Sequence, residues 1–110
     1  MVEKVREIGY ADLKDLKKYS EMVFGKIFEG REKAKQRVVY DLLNYMKTNN
    51  KNQFINQTLK LIASKMDDPE TKKLSELINT LWVEYDTPEN FEKMGYAIIM
   101  GIISSKKGGE

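Results

Sequence analysis

The sequence predicts an all-α protein, a compact bundle of about five helices forming a single domain over residues 1–110. Three observations carry this. Only two prolines occur, and both stand where a helix begins: Asp68-Pro69-Glu70 and Thr87-Pro88-Glu89 each place an N-cap oxygen before a proline and a carboxylate after it. Apolar residues recur at steps of three and four along most of the chain. No stretch alternates with period two, and no Asn-Gly or Asp-Gly hairpin turn is present.

The elements follow in order. Val2–Ile8 is a candidate for a short extra turn. Leu13, Leu16, Val23, Phe24 and Ile27 predict a helix from about Asp12 to Phe28, with Gly30 as its stop. Ala34, Val38, Leu42, Tyr45 and Met46 predict a second from about Arg31 to Lys47. Thr48–Asn52 reads as a polar turn. Phe54, Ile55, Thr58, Leu59 and Ile62 then mark a third helix ending near Met66.

The two Pro-led starts frame a fourth helix with the stripe Leu74, Leu77, Ile78, Leu81, Trp82 and Tyr85. After Pro88, Phe91, Met94, Ile98 and Ile102 form one stripe of a fifth, and Tyr96, Ile99, Met100 and Ile103 make its other side apolar too. Such a helix is buried on several sides, within the bundle or against another subunit. Gly95 and Gly101 weaken it by about 1 kcal/mol each relative to Ala, so close approach of another helix is expected at both. The tail from Lys106 to Glu110 is expected to fray.

Composition excludes several function classes. At 41% hydrophobic and 33% charged, the chain is globular rather than disordered. It has no cysteine and no histidine, which removes disulfides, thiolate metal sites, the usual general base and the pH switch. No P-loop, GxSxG motif or nucleophile–base arrangement is present. A non-enzyme without cofactor or metal is the expectation. The N-terminus, MVEKVREIGY, lacks the apolar core of a secretion signal, and the apolar run Gly95–Ile103 is too short to cross a bilayer. A cytoplasmic protein with no membrane partner is expected.

The net charge of +2 hides an asymmetry. Residues 1–60 carry 13 basic and 8 acidic side chains, a surplus of five, whereas residues 61–110 carry 6 and 9, a deficit of three. The surplus concentrates between Arg31 and Lys60, where 7 basic residues meet only Glu32 and Asp41. Arg31, Lys33, Lys35 and Arg37 open the second helix, where cations oppose the helix dipole and so do not serve helix stability. Lys33, Arg37, Tyr40, Asn44 and Lys47 fall at steps of four, three, four and three, hence on one helix face. Cations, a ring and an amide along one stripe suit a phosphate track with occasional base or sugar contact. Lys51 and Lys60 extend the cationic set into the third helix, where Asn52, Gln53, Asn56 and Gln57 add amides. The bland alternative is a solvated Lys-rich surface. Lys14, Lys17 and Lys18, with Asp12, Asp15 and Glu21 nearby, read as such a surface. Trp82 reads as a core anchor or an interface anchor, and Tyr96, Ile99, Met100 and Ile103 are the further candidates for protein contact.

The segment Arg31–Leu61, REKAKQRVVYDLLNYMKTNNKNQFINQTLKL, followed by Phe91–Ser104, FEKMGYAIIMGIIS, resembles the small helical subunit of CRISPR interference complexes, most like that of archaeal type I-A (Cascade-type) assemblies. The resemblance implies a non-catalytic helical protein, present in several copies along a ribonucleoprotein filament. Its partners would be the single-stranded DNA of an R-loop or the guide RNA–DNA duplex, other subunits, and copies of itself. Sequence is read there by guide pairing, not by the protein. The matching positions are Arg31, Lys33, Lys35, Arg37, Lys47, Lys51 and Lys60. Ranked below are a helical protein–protein adaptor without nucleic-acid binding, then a helix-turn-helix regulator turning at Lys47–Asn52, then a small enzyme.

Overall fold

The computed structural model describes residues 6–105. Five α-helices and one 3-10 turn follow in order: α1 Tyr10–Ile27, α2 Glu32–Lys47, α3 Lys51–Ile62, the turn Ala63–Lys65, α4 Pro69–Glu84 and α5 Pro88–Ser104. The described residues contain no strand, so the all-α bundle of about five helices is the observed architecture.

The connections are short because the sequence supplies each stop. Gly30 has φ +72°, the left-handed value that ends α1 without a Cβ penalty. Asn49 has φ +53°, a value Asn tolerates better than most residues. Asn50 then caps α3 by accepting from the Gln53 amide at 3.3 Å. The polar turn is thus shorter than expected, and α3 starts at Lys51. Thr87 caps α5 as predicted, accepting from the Asn90 amide at 3.2 Å. Asp68 stands at the N-cap position of α4 as predicted, but its side-chain partners are not the expected ones. Its carboxylate caps no backbone amide, but accepts from the Thr71 hydroxyl at 3.2 Å and from Lys26 Nζ at 2.9 Å. Residues 6–8 are not helical; the rest of the extra turn expected at Val2–Ile8, and the fraying expected of 106–110, lie outside the described residues.

The expected stripes meet in one core. Leu16, Val23 and Phe24 of α1, Leu42 of α2, Phe54 of α3, Leu74 and Ile78 of α4, and Met94, Ile98 and Ile102 of α5 are fully buried. Each side chain of this size stabilises the fold by about 1.5–3 kcal/mol through water exclusion. Phe54, Trp82 and Phe91 form an aromatic cluster with centroids 5.6–6.1 Å apart.

Helix α5 packs most extensively along α1. The two run in the same direction: Asn90 Oδ1 accepts from the Ile8 amide at 3.0 Å near their starts, and Gly101 meets Lys17 and Ser20 further on. A Cβ built on Gly101 would lie 2.6 Å from the Lys17 carbonyl oxygen and 2.6 Å from Ser20 Cβ. A Cβ on Gly95 would collide with the thioether of Met46. The two glycines therefore admit neighbouring helices of the same chain. Helix α2 lies antiparallel to α5, with Met46 at Gly95 and Lys35 at Ser105.

Candidate nucleic-acid interface

The basic stripe of α2 folds as predicted onto one solvent face. Lys33, Arg37, Tyr40, Asn44 and Lys47 are all exposed, Tyr40 at 74%. At 1.5 Å rise per residue the stripe is about 21 Å long. Val38 and Leu42, on the opposite side, hold α2 to the core.

Beside this stripe, α2 and α3 enclose a groove of about 480 Å³. Arg31, Lys33 and Arg37 line it from α2, and Lys60 lines it from α3. The apolar lining comes from Ile27, Phe28, Ala34, Val38 and Leu61. No acidic residue lines it. Glu29 stands four residues before Lys33 and Asp41 four after Arg37, yet neither closes an ion pair within 4.0 Å. Among the described residues none of the four lining cations has a carboxylate partner, whereas Arg6, Lys17, Lys26, Lys35, Lys51 and Lys93 each have one. Arg31 is the N-cap of α2 and offers no side-chain acceptor, so the positive end of the helix dipole adds to the cationic field.

A second depression, of about 430 Å³, adjoins the first. Gln53, Asn56 and Gln57 line it, and it shares Lys60 and Leu61 with the groove. The amide run of α3 therefore continues the cationic surface.

Two predicted contact residues lie elsewhere. Lys35 points away from the stripe: its side chain is 14% exposed, and Nζ donates to the Ser105 carbonyl at 3.1 Å and lies 3.9 Å from Glu32. Position 35 falls on the α5 side of α2, so the lysine closes the C-terminal end of α5. Lys51 is ion-paired with Asp86 across α3 and the α4–α5 turn, so its charge is already answered.

The expected protein-contact set divides in the same way. Trp82 and Ile99 are 6% and 1% exposed and belong to the chain's own core. Tyr96, Met100 and Ile103 form a stripe on the outer side of α5, each about half exposed.

Comparison with known proteins gives no match: no family model, no curated protein and no solved structure aligns with this chain.

No helix of the described residues is long and apolar enough to cross a membrane, and no group of three acidic residues there has the geometry of a metal site. Three side chains have displaced pKa values, all from ion pairs outside the groove. Glu7 is lowered by its hydrogen bond to Lys93. Lys26 is raised by Glu70 and Asp68, and Asp68 is lowered by Lys26. These pairs hold helices together; the groove cations stay available to a ligand.

The apolar lining of the groove was not legible in the sequence. Ile27 and Phe28 end the α1 stripe and read as core. Leu61 gave the one available hint, since it sits a residue off the buried stripe Phe54, Thr58 and Ile62.

Proposed function

We propose that this protein is a non-catalytic, cytoplasmic helical subunit that binds nucleic-acid backbone without sequence preference inside a CRISPR RNA-guided DNA interference complex, where it stabilises the R-loop. The observation that carries the reading is the convergence of Arg31, Lys33, Arg37 and Lys60 on one groove with no carboxylate in its lining. Arg31, Lys33, Arg37 and Lys60 are all exposed, and the mutual repulsion of like charges gathered on one groove is relieved by an anion that neutralises them. A polyphosphate strand does so and gains affinity by releasing its counterions. The exposed line Lys33, Arg37, Tyr40, Asn44 and Lys47 extends the same chemistry along α2. The resemblance of Arg31–Leu61 and Phe91–Ser104 to small CRISPR subunits supplies the biological setting.

A net charge of +2 is low for a free nucleic-acid binder. Weak isolated binding, amplified by several copies in one assembly, fits that charge. In this reading Tyr96, Met100 and Ile103 contact a sister copy or a larger subunit. The same stripe favours a second reading, a protein adaptor whose basic face is only solvated.

The two readings separate in one titration. Binding of labelled single-stranded DNA is followed by anisotropy across a salt series. Engagement of about four phosphates gives a logarithmic salt slope of about −3 on a single strand. Changing Arg31, Lys33, Arg37 and Lys60 together to Gln should abolish most of the slope and the affinity while leaving the helical circular-dichroism spectrum intact. Binding that is absent in the unaltered protein, or unmoved by the fourfold change, rejects the nucleic-acid reading.

A further inference from the structure

We propose that the groove between α2 and α3 accepts an unstacked nucleobase, so that the protein holds a single strand by its bases as well as its phosphates. This rests on the nucleic-acid reading above and deepens it.

Phosphate contact alone does not call for the observed lining. Phosphates stay hydrated, and an apolar surface beneath them is unfavourable. A groove whose edges are Arg31, Lys33, Arg37 and Lys60, and whose remaining surface is apolar apart from Ser64, suits a ligand that is anionic at its margin and apolar in its middle. A nucleotide released from the stack has that distribution: a flat aromatic face joined to flanking phosphates. The volume of about 480 Å³ falls in the range of small-molecule sites and leaves room for one base with its sugar. Arg31 and Arg37 can lay planar guanidinium groups on a base while their charge remains directed to phosphate.

The adjoining depression strengthens the assignment. Gln53, Asn56 and Gln57 each carry a donor and an acceptor on one planar group, the complement of a base edge that pairing has not consumed. Lys60 and Leu61 belong to both depressions, so successive nucleotides of one strand would meet first the apolar groove and then the amides. In a duplex the bases are stacked and their edges paired, and only the cationic margin would engage. An acidic amphipathic peptide would use the cations and the apolar lining, but it gives no use to the amide run or to the line of Lys33, Arg37, Tyr40, Asn44 and Lys47 leading away from the groove.

The test compares strands of equal length and charge. Labelled oligothymidine, an abasic strand of the same phosphate number and a blunt duplex are titrated with the intact protein. Oligothymidine should bind about tenfold more tightly than the abasic strand, a factor within the range for one base stacked on a protein aromatic ring such as that of Phe28. Both strands should show the same salt slope, because their phosphates are equal in number. Ala34→Met narrows the groove without changing charge; it should bring oligothymidine down towards the abasic strand and leave the abasic strand unchanged. Leu61→Asn, which removes apolar lining from the same place, repeats the test without adding volume. Equal binding of thymidine and abasic strands overturns the base site while leaving backbone binding standing. Absence of salt-dependent binding to either strand, or binding to poly-glutamate alone, overturns the nucleic-acid reading together with it.

Discussion

Lys35 Nζ donates to the carbonyl of Ser105 at 3.1 Å, joining the first turns of α2 to the last residue described after α5. Four basic residues lie between positions 31 and 37, and this one has turned inward to close a helix end. The last carbonyls of a helix lack intrahelical donors, and a cation is the best partner there. Lys35→Met keeps the apolar stem and removes the donor. It should lower stability by about 1 kcal/mol in urea unfolding and leave single-strand affinity unchanged, whereas Lys33→Gln should do the opposite. Loss of affinity in Lys35→Met with stability intact would return Lys35 to the binding surface.

Asn90 is 2% exposed and holds the chain ahead of α1. Its Oδ1 accepts from the Ile8 amide at 3.0 Å, and its Nδ2 donates to the Arg6 carbonyl at 2.9 Å. Asn90→Ala leaves both backbone groups without a partner and should cost about 2–3 kcal/mol. Amide exchange at Ile8 should accelerate before any change in α3. Equal exchange in both proteins would show that the segment is held by Ile8 packing alone.

The two interior glycines of α5 should respond differently to alanine. Each Gly→Ala change gains about 1 kcal/mol of helix propensity. At Gly101 the new methyl meets the Lys17 carbonyl and Ser20 Cβ, which are fixed by α1, and overpacking of about 1–3 kcal/mol outweighs the gain. At Gly95 it meets the flexible end of Met46, which can move aside. Thermal midpoints should therefore fall for Gly101→Ala and change little for Gly95→Ala. A stabilised Gly101→Ala would refute the close approach of α1 and α5.

Acid should loosen the α1–α4 contact. Asp68, held below its ordinary value of about 3.8 by Lys26, contributes stability that is present above that value and is lost as pH falls through the lower folded value. Glu7, lowered by Lys93, behaves with the same sign. Lys26, raised above about 10.5, contributes fully below that pH and loses its contribution only as pH rises beyond it. Urea midpoints measured from pH 7 down to pH 3 should fall less in Lys26→Met than in the unaltered protein. Parallel pH profiles would show that the ion pair is solvated out.

The fold was largely written in local signals. The Pro-led starts at Pro69 and Pro88 and the stop at Gly30 need only short-range chemistry, and all three stand where the sequence put them. The exposed cationic face of α2 was equally legible, because steps of three and four fix which residues share a side. What the sequence did not disclose depends on the partner across a helix interface. Lys33 and Lys35 look alike in composition, yet two positions rotate the second by about 200° towards α5. Asp68 is the N-cap residue of α4, but a cation 42 residues away in sequence also claims its carboxylate. The groove could not be read at all, since α1, α2 and α3 must meet before Phe28, Arg37 and Lys60 surround one space.

The parallel contact of α1 with α5 bears on how the protein is made. The largest interface joins the first helix to the last, so a chain still emerging from the ribosome has no finished smaller bundle to settle into. Until residues beyond Pro88 are free, the face of α1 that α5 covers is an open apolar strip. A polypeptide cut short ahead of α5 would therefore be an aggregation-prone fragment, and separately expressed pieces divided at Thr87 would regain structure only on meeting each other.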